Sequence, residues 1–136
     1  MRFFCVLLAG LVLFPPSASH AVAPVCEMEM QRGTASWYGP GFAGRMTKNE
    51  EVYDPRHYSA AHKSLPFGTI VKVTSLRNSK SVFVRINDRG PHAKNRIIDL
   101  SEAAARQIGM IDSGVAKVAI YECDTPSFSR KNIPNR

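Results

Sequence analysis

The stretch Val82-Phe-Val-Arg-Ile-Asn-Asp-Arg-Gly-Pro91 permits few local structures. Val82, Val84 and Ile86 alternate with Phe83, Arg85 and Asn87, which is the period of a strand with one buried face. Gly90-Pro91 ends the run, because proline offers no N–H to a ladder and the pair favours a turn. A second apolar run, Arg96-Ile-Ile-Asp-Leu100, follows the loop. A carboxylate, Asp88, therefore stands where a rigid strand meets a loop, with Arg85 and Arg89 on either side. Such a position suits an acid that must be held in a fixed orientation. It equally suits a turn in which Asp88 pairs with one of the two arginines.

The remaining punctuation repeats this theme. Gly33 to Tyr38 reads as a strand stopped by Gly39-Pro40-Gly41, and Phe42 to Asp54 as a long polar loop. A loop of that length in a small domain is more often functional than idle. Tyr58 to Lys63 is a short segment of small residues. Thr69 to Ser75 alternates and joins the Val82 strand through the polar turn Leu76 to Lys80, as a hairpin. Asp99 or Ser101 caps a short helix, and Asp99 with Glu102 has capping-box spacing. Gly114 to Tyr121 is the last strand. Val22 to Arg32 is read as irregular, and 124–136 as a flexible basic tail. Five or six short strands and one small helix predict an all-β barrel or sandwich.

The first 21 residues read as a secretory signal: Arg2, an apolar run from Phe3 to Phe14, Pro15-Pro16, and cleavage after Ala21. That run is too short to span a bilayer, so the chain is expected to be exported, periplasmic or secreted, and not integral to a membrane. Of the three cysteines Cys5 leaves with the signal. In an oxidising compartment Cys26 and Cys123 are expected to form one intramolecular disulfide. Lipidation of Cys26 is disfavoured, because Ala23-Pro24-Val25 lacks the pattern of a lipobox. A formal net charge of +7 points to an anionic polymer or surface outside the cytoplasm. Export and the dispersal of the basic residues argue against nucleic acid. His57, His62 and His92 have no metal-ligand spacing, so neither metal nor cofactor is expected.

Four motifs occur in order: Gly33-Thr-Ala-Ser-Trp-Tyr-Gly-Pro-Gly-Phe42, Ala60-Ala-His-Lys-Ser-Leu-Pro-Phe-Gly-Thr69, Val84-Arg-Ile-Asn-Asp-Arg-Gly-Pro91 and Arg96-Ile-Ile-Asp-Leu-Ser101. Together they resemble the rare lipoprotein A (RlpA) family. The resemblance implies a six-stranded double-psi β-barrel over residues 33–123, with one or two short helices. It implies an endolytic lytic transglycosylase of peptidoglycan glycan strands that lack stem peptides, leaving 1,6-anhydro-N-acetylmuramic acid ends. The family's acids fall on Glu51 and Asp88, and its His-Lys pair on His62 and Lys63. Asp88 is the expected acid/base, with Glu51 assisting. His62, Lys63, Asn87, Arg89 and Tyr38 are the expected substrate-binding residues, in a chain that acts as a monomer. Glu50 stands where the family usually has glycine; if that position needs positive φ, Glu50 strains the loop. The chain ends soon after the barrel, so the peptidoglycan-binding repeat domain carried by many members is not expected. A different class of reading is a non-catalytic, expansin-like protein that binds wall glycan.

Overall fold

In the computed structural model, which describes residues 10–17 and 25–124, the alternating valines line the inside of a closed barrel. Its strands are β1 (Val25–Trp37), β2 (Ser59–His62), β3 (Ile70–Ser75), β4 (Ser81–Asp88), β5 (Arg96–Leu100) and β6 (Val115–Asp124), with helix α1 (Glu102–Gln107) between the last two. Around the barrel the order is β1-β5-β2-β4-β3-β6. The β1–β5 and β2–β4 pairs are parallel and the other four antiparallel. Closure leaves no free sheet edge. This is the all-β, double-psi architecture expected. The cleavage position after Ala21 and the tail beyond Asp124 lie outside the described residues.

Val71, Val73, Val82, Val84, Ile86, Ile98, Leu100, Val118 and Ile120 are all essentially fully buried and fill the interior. At about 25 cal/mol per Å² of apolar surface removed from water, these aliphatic side chains are the main source of stability. The β3–β4 hairpin forms as its alternation requires. Helix α1 packs Ala104 and Ala105 into the core. Its cap is Ser101, whose hydroxyl accepts from the Ala104 N–H. Asp99 does not cap it: that residue lies within β5. No helix among the described residues is long and apolar enough to cross a membrane.

One boundary needs correction. Residues 25–32 are not irregular; they are the first part of β1 and pair antiparallel with β6, from Val25 opposite Asp124 onward. Most side chains in this part are exposed, Met28 among them, and the register shifts twice. The segment is held by backbone hydrogen bonds and not by a buried face, so it shows no period-2 pattern. It is also held covalently, by the Cys26–Cys123 disulfide across the β1–β6 ladder.

That bond closes a loop with a sequence separation of 97. Replacing both cysteines by serine is expected to lower unfolding stability by about 4 kcal/mol on chain-entropy grounds. Chemical denaturation of the oxidised protein and the double variant measures the difference.

Candidate active site

The positions of the acids follow from strand register. In the β2–β4 pair Ala60 stands opposite Ile86 but Ala61 opposite Asp88, so the register skips Asn87. Such an irregularity re-aims the side chains that follow it. Ala61 is also the partner of Asp99 on β5, and Asp99 is the partner of Ser36 on β1. Ser36, Asp99, Ala61 and Asp88 thus form one row across four strands. The row faces away from the core, since Ile98 and Leu100 on either side of Asp99 are completely buried. A cleft of about 600 Å³ lies over it, lined by Asp88 and Asp99, by the aromatics Trp37, Tyr38, Phe42 and Tyr53, and by Arg45, Lys48, Arg89, His92 and Arg96.

Neither flanking arginine pairs with Asp88. Its Oδ2 accepts from the Tyr38 hydroxyl at 2.7 Å, and its Oδ1 from the backbone N–H groups of Lys48 at 2.9 Å and Arg89 at 2.8 Å. Burial, and then the hydrogen bond to Asp88, push the Tyr38 phenol well above its ordinary range, so it remains a donor. The Arg89 guanidinium turns the other way. It donates to the carbonyls of His62 at 3.2 Å and Leu65 at 2.7 Å and stacks 4.1 Å from the Phe67 ring centroid. Arg85 is taken by Glu51.

Glu51 has both oxygens engaged. Oε1 accepts from Arg85 Nη1 at 2.8 Å, and Oε2 from Arg85 Nη2 at 2.5 Å and Asn87 Nδ2 at 3.2 Å. The Arg85 hydrogen bonds hold its carboxyl down at about 2. The loop around it is tied to β4 a second time, by the Asn49 N–H on the Asn87 carbonyl at 3.2 Å. The amide oxygen of Asn49 accepts from the Thr47 hydroxyl and the Glu51 N–H. The turn in this loop passes through Glu50 at φ 68, the left-handed region that favours glycine.

The cleft therefore brings together three of the expected site residues, Asp88, Tyr38 and Arg89. Glu51, Asn87, His62 and Lys63 do not line it. Asn87 is buried beneath Glu51. His62 is buried with both ring nitrogens occupied: Nδ1 accepts the Ser64 and Leu65 N–H groups and Nε2 donates to Gln31 at 2.9 Å. Burial, with Arg89 and Lys63 nearby, lowers its pKa and keeps it neutral. Lys63 donates to the Ala93 carbonyl. Asp99 was missed because its spacing from Glu102 fits a helix cap. The signal available for it was its place between Ile98 and Leu100, which puts it on the outer face of β5. Among the described residues no cluster of His, Cys, Asp or Glu is arranged to hold a metal ion.

Comparison with known proteins follows the same lines. A family model described as lytic transglycolase matches residues 30–120. The endolytic peptidoglycan transglycosylase RlpA of Campylobacter jejuni is 58% identical over 92 residues, covering 68% of this chain and 34% of that protein. The protein of the same name from Neisseria meningitidis is 53% identical over 92 residues, covering 68% of this chain and 38% of its own length. The chain spans about a third of the length of these curated relatives. Among solved structures, the Streptomyces papain inhibitor superposes with a TM-score of 0.54 at 21% identity, covering 70% of this chain and 96% of that one. An expansin of Clavibacter michiganensis does so with a TM-score of 0.54 at 24% identity, covering 71% and 51%. These two share the fold.

Two measurements test the loop. Glu51 is ionised more easily folded than unfolded, so its pairing adds stability above its ordinary value of 4.5 and loses it as pH falls towards about 2. The gap in thermal midpoint between wild type and Glu51→Gln should be constant above about pH 5.5, narrow below it and vanish near about pH 2. Glu50→Gly relieves a left-handed non-glycine residue costing roughly 1–2 kcal/mol and adds back about 0.5–1 kcal/mol of unfolded-chain entropy. The expected result is a gain of about 0.5–1 kcal/mol, or a thermal midpoint higher by about 3–5 °C.

Proposed function

The chain belongs to the RlpA family of lytic transglycolase barrels, and from that premise we propose that it is an exported endolytic peptidoglycan transglycosylase. It cuts the bond between N-acetylmuramic acid and N-acetylglucosamine in glycan strands without stem peptides, and leaves 1,6-anhydro ends. It acts as a monomer in the periplasm or after secretion. The observation that carries the reading is Asp88, a carboxylate held in an aromatic and basic cleft by neutral donors and free of both neighbouring arginines.

The chemistry asks for little more than such a site. The C6 hydroxyl of the muramic residue attacks its own C1 as the bond to the leaving oxygen breaks. The nucleophile is tethered to the reacting ring, so no positioned water and no covalent enzyme intermediate is needed. What the protein must supply is proton transfer and a shaped surface. Asp88 exchanges protons with the reacting sugar. Tyr38 stays protonated and fixes the direction of that carboxylate. Phe42 and Tyr53 flank Tyr38, with ring centroids 5.6 and 4.7 Å from its own, and offer apolar faces to sugar rings. Arg45 and Arg96 line the same cleft and suit the free lactyl carboxylate that a muramic residue carries only when its stem peptide is gone. Glu51 acts through the loop: it pins residues 47–51 to β4, and the Lys48 N–H of that loop donates to Asp88.

Digestion of amidase-treated peptidoglycan, read by mass spectrometry, tests this. Wild type should release new 1,6-anhydro ends, and Asp88→Asn should lower their rate at least about 100-fold. Glu51→Gln should lower it about 10- to 100-fold by letting the loop drift. Glycan retained tightly with no new ends would make the chain a binding protein of the expansin kind.

A further inference from the structure

Transglycosylation moves two protons: one to the departing glycosidic oxygen and one away from the C6 hydroxyl. On the proposed function above, and resting on it, we infer that Asp99 is a second catalytic carboxyl of the cleft, which delivers the first proton while Asp88 removes the second.

Register puts the two acids in place. Both are partners of Ala61, one from β4 and one from β5, so they stand at the same level on strands that flank a single strand. Two strand spacings separate their backbones by about 10 Å. The residue between them is alanine, and the loop that crosses above has glycine: Gly90, at φ +133, where a Cβ would meet both the Ala61 Cβ and Asp99 Oδ2 at 3.9 Å. Gly90 packs directly over Ala61, which is 1% exposed, and a sugar would lie above this lid of small residues, reached by the carboxyl on either side. The Tyr38 hydroxyl lies within reach of the charge of both.

Hydrogen bonding distinguishes the roles. Every oxygen of Asp88 already accepts: Oδ2 from Tyr38, and Oδ1 from two backbone N–H groups. These three donors fix the direction of the carboxylate and leave a second lone pair on Oδ2 to take a proton, which suits Asp88 to be the acceptor. Asp99 differs. Its Oδ1 accepts from the buried Ser36 hydroxyl, and no donor among the described residues reaches its Oδ2. That oxygen is left to the cleft, which Asp99 lines, and is the one assigned to the leaving group. Glu51 cannot take the part, since it is locked to Arg85 and does not line the cleft.

The step balances. The C1–O bond to the leaving sugar breaks, and its oxygen takes the proton of Asp99. The O6–C1 bond forms, and the proton on O6 passes to Asp88. Asp99 ends ionised and Asp88 protonated, and one proton exchanged through solvent restores the starting state.

Asp99→Asn keeps the shape of the side chain and an acceptor for Ser36, and should fold with an unchanged thermal midpoint. On amidase-treated peptidoglycan it should release anhydro ends at least about 100-fold more slowly than wild type. A dinitrophenyl glycoside of N-acetylmuramic acid has a leaving group that departs without protonation. On that substrate Asp99→Asn should stay within about tenfold of wild type, while Asp88→Asn should not, because its proton acceptor is gone. Ser36→Ala, which breaks the contact but keeps the carboxyl, should lose less than about tenfold on peptidoglycan. The inference is overturned by an Asp99→Asn rate within fivefold of wild type on peptidoglycan. It is equally overturned by an equal loss on both substrates, by a Ser36→Ala loss as large as that of Asp99→Asn, or by an Asp99→Asn chain unfolded at 25 °C. A wild-type chain that yields no anhydro ends overturns the proposed function first, and the inference with it.

Discussion

The Arg85–Glu51 pair holds the 47–51 loop against the end of β4, and the arrangement of the cleft depends on it. Both side chains are about two fifths exposed, 40% and 41%, so water screens the attraction and its net stabilisation is at most about 1 kcal/mol. Its importance is positional. It occupies the Arg85 guanidinium and fixes the loop whose Lys48 N–H donates to Asp88. Arg89 is removed by a different device. The carbonyl of His62 at the end of β2, that of Leu65 in the turn after it, and the face of Phe67 satisfy its guanidinium without any carboxylate. Asp88 is thereby left with a hydroxyl and two backbone N–H groups as its partners.

Barrel closure supplies the second constraint. Parallel pairing of β2 with β4 and antiparallel pairing of β2 with β5 bring two distant acids to one alanine. The skip at Asn87 turns Asp88 outward while Ile86 still faces the core. Asn87 bears the consequence. It is buried, and its Oδ1 has no partner among the described residues, an arrangement that costs about 1–3 kcal/mol. Glu50 at positive φ adds a smaller cost in the loop opposite. Local strain of this sort collects where a site requires a geometry the backbone would not choose.

The residues that sequence located and those it misplaced differ in the range of the interaction that decides them. Val82 to Ile86 and Val71 to Val73 declare their strands because one face is buried and the other is not. The first part of β1 has no such contrast and is held by β6 and a disulfide, so it read as irregular. His62 stands in a motif, yet its ring organises the turn after β2 and is closed to the cleft. Asp99 matched the spacing of a helix cap, and Ser101 holds that position instead. In each case the deciding contact comes from a strand or loop many residues away.

Sequence by itself determined the all-β class, the strand that ends at Asp88 and the membership that its four motifs carry, because these rest on local period and residue type. It also pointed to the pairing of Cys26 with Cys123, on the expectation that Cys5 leaves with a secretory signal, and the structure contains that bond. Only the tertiary structure decided which acids share a cleft. The partners of Arg85, Arg89, Glu51 and Asp88 come from strands and loops distant in the chain, and the register of a closed barrel sets them. That selection left Asp88 to Tyr38 and two backbone N–H groups, moved Glu51 to the support of a loop, and set Asp99 across Ala61.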